Sequence, residues 1–351
     1  MENAIEISYR ALEENPGKKV YLLSQMIHNQ EVNHDLLDRG IQFIMDTDGV
    51  QFIPWENINQ EDVVIIPAFG TTLEIEALLR QRGVDVQSYN TTCPFVEKVW
   101  NRAEKLGKDN YTIIIHGKPK HEETRATFSH SALNGPSVIV LDMDDALKLS
   151  EFILGKRRLQ DFFKEFAGKY SEGFQPDQHL QRIGVVNQTT MLATETQAIS
   201  DFFRKTMEEK YNIENIRSHF ADTRDTLCYA TNDNQDATYE LLKSEADLAI
   251  VVGGYNSSNT SHIVELCERH FTTFFINAET EIKSREEIHH YDFHAKKKSI
   301  TRSFLPEKRP VTIALTSGAS CPDTVVDRVM LRLIEFFENP KDLQKVLSVF
   351  V

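Results

Sequence analysis

A chain of 351 residues with 40% hydrophobic and 26% charged side chains has the make-up of a globular protein with ample core. Its formal net charge of −14 excludes a general binder of nucleic acid or anionic membrane, since those partners demand a basic surface, and leaves local hydrogen bonds to hold any phosphorylated ligand. No apolar run reaches about 18 residues and no charged-then-apolar leader is seen, so no membrane span or secretory signal is expected and the chain is assigned to the cytoplasm.

In chain order, residues 1 to 13 read as a helix with Ile5, Tyr9 and Leu12 at helical spacing, and Lys19 to Leu23 follow as a short strand. A parallel α/β unit enters its helix from a strand, and none precedes this one, so the chain is expected to begin partway through a unit. Ser24-Gln25-Met26-Ile27-His28-Asn29 forms a polar loop ahead of a helix carrying Leu36 and Leu37. The strand Val63 to Ile66 runs into Pro67-Ala68-Phe69-Gly70, and a short strand Val84 to Val86 precedes Thr91-Thr92-Cys93-Pro94, which opens a helix with Val96, Val99 and Trp100. Thr112 to Ile115 leads into His116-Gly117-Lys118 and His121-Glu122-Glu123-Thr124, and Val138 to Leu141 is the next strand.

Residues 148 to 180 break this rhythm; charged and helical, with Phe162, Phe163 and Phe166 as a stripe, they read as an insertion on the outside. Ile183 to Val186 then leads into Asn187-Gln188-Thr189-Thr190, followed by a helix around Phe202 and Phe203 and a loop from Asp222 to Ala230 that holds Cys228. The buried strand Leu248 to Val252 turns at Gly253-Gly254 into Asn256-Ser257-Ser258-Asn259-Thr260-Ser261, the start of a helix through Ile263, Val264, Leu266 and Cys267. Thr273 to Ile276 is a strand, residues 279 to 309 a polar connector, and Val311 to Leu315 a strand running into Thr316-Ser317-Gly318-Ala319-Ser320-Cys321. A last helix shows Val326, Val329, Met330, Leu333 and Phe337 on one face.

At least five strands thus end in polar loops, and ligands of open α/β sheets bind outside the carboxyl ends of strands. The form repeats, which predicts three α/β units, at 1–93, 94–215 with the insertion near 148–180, and 216–338, with a tail at 339–351. The run from Asn256 to Ser261 offers far more donors than one helix cap requires, and suits an anion such as phosphate at a helix N-terminus. Ser320 and Thr189-Thr190 read equally as caps or as ligand donors, and two Ser-rich helix starts suit a diphosphate better than a monophosphate. His121 and Glu123 pair a possible phosphate ligand with a possible proton donor. Of the four cysteines, Cys267 reads as core, while Cys93 and Cys228, far apart and in no Cys-x-x-Cys pair, are buried hydrophobes or ligands of an iron–sulfur cluster. His289, His290 and His294 beside Lys296 to Lys298 fit no familiar ligand spacing and read as an exposed loop.

Taken in order, Ile27-His28-Asn29, Pro67-Ala68-Phe69-Gly70, Thr91-Thr92-Cys93-Pro94, His116-Gly117-Lys118 with His121-Glu122-Glu123-Thr124, Asn187-Gln188-Thr189-Thr190, Gly253-Gly254 with Asn256 to Asn259, and Thr316 to Ser320 resemble the 4-hydroxy-3-methylbut-2-enyl diphosphate reductase family. The likeness runs from about residue 3 to 335 and is to its plant and cyanobacterial branch. It implies an α/β fold of three similar domains, with small, mainly parallel sheets arranged pseudo-threefold around a central cavity that holds a [4Fe–4S] cluster. It implies reduction of an allylic diphosphate to isopentenyl and dimethylallyl diphosphate with ferredoxin or flavodoxin as electron donor. Carried over by motif, Cys93 and Cys228 match two of three cluster thiolates, Glu123 the proton donor and Thr189 a partner of the substrate hydroxyl. His28, His121, Ser257, Ser258, Asn259 and Ser320 match diphosphate ligands.

Two departures stand out. Phe69 replaces a histidine of many bacterial members, as it does in the plant-like branch. The family's first cluster cysteine, in a Gly-Phe-Cys motif ahead of the first helix, has no counterpart in this sequence. A start that is cut short explains this, as do Cys321 acting as substitute ligand and a cluster-free relative that binds diphosphate without reductase activity.

Overall fold

The computed structural model describes residues 2–221 and 228–338. Most of the expected loop at Asp222 to Ala230, and the tail at 339–351, lie outside them. The chain divides into two compact units, one of Met1–Ile27 with Glu31–Asn232, the other of His28–Gln30 with Asp233–Val351.

The first unit holds two parallel sheets. After α1 (Glu2–Glu14) come β1 (Val20–Leu22), α2 (Gln30–Asp38), β2 (Gln42–Phe43), β3 (Val63–Ile65) and α3 (Leu73–Gln81), with strand order β2-β1-β3. Apolar side chains alternate between faces: Val20, Leu22, Val63 and Ile65 pack with Ala4, Ala11 and Leu36, whereas Tyr21 and Val64 pack with Leu79, Val84 and Val86. The expected strand at Val84 to Val86 does not form. Its valines are buried, but the Asp85 carboxylate accepts from the Gln87 and Ser88 amides at 2.8 and 3.2 Å, and this side-chain turn takes the backbone away from the ladder.

The second sheet follows α4 (Pro94–Lys108) and comprises β4 (Thr112–His116), β5 (Ser137–Val140), β6 (Ile183–Asn187) and β7 (Phe220–Ala221) in the order β5-β4-β6-β7. Its helices are α5 (Glu122–Asn134), α6 (Met143–Ile153), α7 (Leu159–Glu165), α8 (Pro176–His179), α9 (Ala193–Tyr211) and α10 (Ile216–His219). β7 lies past the expected division at 215 yet pairs with β6. The segment 148–180 is not merely outside, as expected. Phe162, Phe166 and Phe174 are buried against Ile114, Val138, Val140, Ile183 and Val185, and Tyr170 bridges Val138 in antiparallel sense. The ring area of three phenylalanines outweighs the charges between them, which stay on the outward side.

The second unit contains most of α11 (Tyr229–Leu241), then β8 (Leu248–Val252), α12 (Ser258–Glu268), β9 (Thr272–Ile276), β10 (Ile282–Ser284), β11 (Glu287–Asp292), β12 (Lys297–Arg302), β13 (Ile313–Ser317) and α13 (Asp323–Ile334). β13, β8 and β9 form a parallel sheet with β8 in the middle. Leu248, Ile250 and Val252 face α13 through Val325, Val329 and Leu333, while Ala249 and Val251 face α12 through Ile263, Val264 and Cys267. The polar connector and exposed histidine loop expected at 279–309 are instead an antiparallel sheet, order β10-β11-β12, with His289 opposite Ile300 and His290 opposite Ser299. Buried Ile282 and Ile288 anchor it to the core, and each histidine takes a local partner: Glu287 for His289, Thr301 for His290, Glu268 for His294. No helix of the described residues is long and apolar enough to cross a membrane.

Candidate active site

In the first unit, Cys93 occupies the position before α4, and its amide donates to the Ala68 carbonyl at 2.9 Å, tying the Thr91-Thr92-Cys93 loop to Pro67-Ala68-Phe69-Gly70. Gly70 has φ of +73°, and a Cβ there would meet the Trp100 ring at 2.5 Å, so glycine alone lets this loop lie on α4. Cys228 is buried directly ahead of α11. Burial pushes the Cys93 thiol up, and the nearby charges of Cys228 and Glu123 push it further, against the amides of Phe95 and Val96 at the helix start. The Cys93 thiol thus lies within electrostatic reach of both Cys228 and Glu123.

The acid is held from two sides. His121 caps α5, its Nδ1 accepting from the Glu123 amide at 3.2 Å, which puts the ring proton of the neutral imidazole on Nε2. Phe69 meets the His121 ring edge-on at 5.5 Å between centroids. Glu123 is 0% exposed; its Oε1 accepts from the Thr189 amide, and its Oε2 has no hydrogen-bond partner among the described residues. Burial raises its pKa to about 7, opposed only by bonding from Thr189. The carboxyl is therefore an acid poised at neutrality with one oxygen left for a ligand.

Two residues of this region escaped the sequence reading. Gln188 Oε1 accepts from the Lys118 amide at 3.0 Å and from Thr124 Oγ1 at 2.9 Å, joining the His116-Gly117-Lys118 loop, α5 and the Thr189 loop. Glu122 is buried, accepts a hydrogen bond from Ser24 Oγ, and is raised to about 8 by burial, against Ser24 and Arg125. Acids in a first helical turn usually lie in water near the positive helix end, so nothing in the pair Glu122-Glu123 signals burial.

The second unit carries the anion-type donors. Ser257 is the cap of α12, accepting from the Thr260 amide at 3.2 Å, so capping accounts for one hydroxyl of the run. Asn259 Oδ1 accepts from the Ala319 amide at 2.7 Å, which joins the start of α12 to the loop after β13. Asn259 Nδ2 and Ser320 Oγ are buried without a partner among the described residues. Ser258 and His28 are buried in the same unit, and the His28 carbonyl lies so close to Gly254 that a Cβ there would collide with it. Since α12 and α13 cover opposite faces, β8 and β13 part at a topological switch point, where open α/β sheets form ligand crevices.

The cysteines fit a cluster only in part. Cys267 is wholly buried in the α12 core with its thiol raised to about 12 by burial, and Cys321 packs with Leu248, Ile250, Val325 and Val329. The Cys321 Sγ is turned to the Pro322 carbonyl, and the side chain packs as a small core hydrophobe. Cys93 and Cys228 lie instead at the starts of α4 and α11. Among the described residues no group of three or more His, Cys, Asp or Glu side chains is gathered to hold a metal ion.

Comparison with known proteins gives a consistent picture. A family model described as LytB protein matches residues 1–334. The 4-hydroxy-3-methylbut-2-enyl diphosphate reductase of Synechococcus sp. (strain CC9311) is 40% identical over 340 residues, 97% of this chain and 83% of its own. That of Prochlorococcus marinus (strain AS9601) is 38% identical over 336 residues, 95% of this chain and 82% of its own. The fold matches a solved E-1-hydroxy-2-methyl-but-2-enyl-4-diphosphate reductase from Plasmodium falciparum with a TM-score of 0.67 at 21% identity, covering 99% of this chain and 93% of that one. It also matches an (E)-4-hydroxy-3-methyl-but-2-enyl diphosphate reductase, described as the terminal enzyme of the non-mevalonate pathway, with a TM-score of 0.52 at 24% identity, over 95% of this chain and 94% of the other.

Proposed function

The chain belongs to the LytB protein family, and from that premise we propose that it is a 4-hydroxy-3-methylbut-2-enyl diphosphate reductase of isoprenoid biosynthesis. In the reaction the allylic C–O bond breaks, two electrons and two protons enter, and water leaves with isopentenyl and dimethylallyl diphosphate as products. The observation that carries this reading is Glu123, wholly buried, raised to about 7, with one carboxyl oxygen unpartnered among the described residues and within electrostatic reach of the Cys93 thiol.

Glu123 gives its proton to the departing oxygen, which then leaves as water rather than hydroxide. Thr189 holds the carboxyl in place through its amide, and its hydroxyl is assigned to the substrate hydroxyl. His121, as the Nε2–H tautomer, is suited to donate to a phosphate oxygen, and His28, Ser257, Ser258, Asn259 and Ser320 are assigned by motif as diphosphate ligands. The cofactor would be a [4Fe–4S] cluster, which supplies the electrons when bound, and Cys93 and Cys228 would be among the residues that hold it. Reduced ferredoxin or flavodoxin is the electron donor, and the cytoplasm is the compartment. We assign each parallel sheet to one of three α/β domains, with divisions near 93 and, because β7 pairs with β6, past 221 rather than at 215.

A second reading, a cluster-free relative that binds the diphosphate without reducing it, is favoured by the presence of only two cysteines suited to ligation. Anaerobic reconstitution of the 351-residue protein separates the two. About four irons per chain with matching acid-labile sulfide supports the reductase. Little retained iron, with intact pyrophosphate binding, supports the second reading.

A further inference from the structure

The crevice at the ends of β8 and β13 contains one polar group with no task so far. Thr260 is 0% exposed, and its hydroxyl has no hydrogen-bond partner among the described residues. A threonine in a helix commonly returns its hydroxyl to the carbonyl four residues back, and this one does not. Burying a hydroxyl unsatisfied is unfavourable, and valine has the same shape without that penalty. The side chain therefore calls for a partner beyond the described residues.

Its place says what kind. Thr260 Oγ1 lies against Gly253 and Gly318, the first residues past β8 and β13; a Cβ on Gly253 would stand 2.6 Å from it and one on Gly318 would collide. It thus sits at the switch point between the two strands, where the neighbouring Asn259 Nδ2 and Ser320 Oγ are buried and equally without partners among the described residues. Three unsatisfied groups, two in the first turn of α12 and one in the loop after β13, all of them donors and two of them rotatable hydroxyls, match an acceptor-rich anion.

We propose that Thr260 is a further anion-binding residue of this crevice, its hydroxyl donating to a diphosphate oxygen alongside Asn259 and Ser320. The proposal rests on the reading of the crevice as a diphosphate site. The test is calorimetric titration of inorganic pyrophosphate into the 351-residue protein, which requires no cluster, with Thr260→Val and Thr260→Ser beside the wild type. The expected result is binding weakened roughly tenfold or more in Thr260→Val and close to wild type in Thr260→Ser, with both variants melting near the wild type. Wild-type affinity in a folded Thr260→Val overturns the proposal alone and makes the residue a packing element. Failure of the wild type to bind pyrophosphate overturns the crevice reading and Thr260 with it. Should Thr260→Val not fold, Thr260→Ala removes the hydroxyl without adding bulk, and the same two outcomes apply.

Discussion

At the scale of the residue, the two glutamates at the start of α5 set the pH behaviour. Glu123 acts as acid only while protonated, so turnover of the reconstituted enzyme is expected to fall as pH rises through about 7. Glu123→Gln should keep the fold and lower single-turnover product formation by about 100-fold or more, the usual contribution of a general acid, and unchanged turnover would remove Glu123 from the proton path. Stability follows the same sign. Both carboxyls are raised above the 4.5 of the unfolded chain, to about 8 for Glu122 and about 7 for Glu123, so their contribution is complete below 4.5 and is lost as pH climbs through those values. Relative to the wild type, Glu122→Gln should therefore gain stability steadily between pH 4.5 and 8 in urea unfolding; a constant difference would show that Glu122 titrates as in water.

Much of this was legible and some was not. Glu123 and His121 stood out by their motif, but sequence says nothing of burial, and burial is what separates an acid at 4.5 from one at 7. Glu122 was passed over because its neighbour carried the motif. Cys321 was read as close to the ligand because it follows Ser320, yet successive residues point apart, and its side chain went to the core while the Ser320 hydroxyl did not.

At the scale of the element, the strands were visible as short apolar runs because parallel strands are buried on both faces. Val84 to Val86 met the same criterion and failed, since one aspartate side chain captured the backbone amides that a ladder would use. β10 to β12 were missed for the opposite reason: cross-strand pairs of His, Ser, Thr and Lys hide the alternation carried by Ile282 and Ile288. The turn after β8 offers a direct check. Gly254→Ala would drive a Cβ into the His28 carbonyl, and a loss of roughly 1–3 kcal/mol is expected in denaturant unfolding, together with weaker pyrophosphate binding. A fully stable Gly254→Ala would mean that the 28–30 segment leaves its place without cost.

At the scale of the whole molecule, the recurrence of strand, polar loop and helix points to the parallel sheets seen among the described residues, and nothing in it points to the antiparallel sheet β10-β11-β12. Residues 148–180 are the largest revision. Phe162→Ala is expected to cost about 3–5 kcal/mol by urea unfolding, as for a core phenylalanine, whereas Phe163→Ala, at a side chain 41% exposed, should cost about 1 kcal/mol or less. Equal effects would return the segment to the periphery. If the difference holds, this stretch is not a module. A chimaera that replaces it with a shorter link would open a void beside Ile114, Val138, Val185 and Phe203, so those positions must be exchanged with it, and in any lineage the two parts are bound to drift in step.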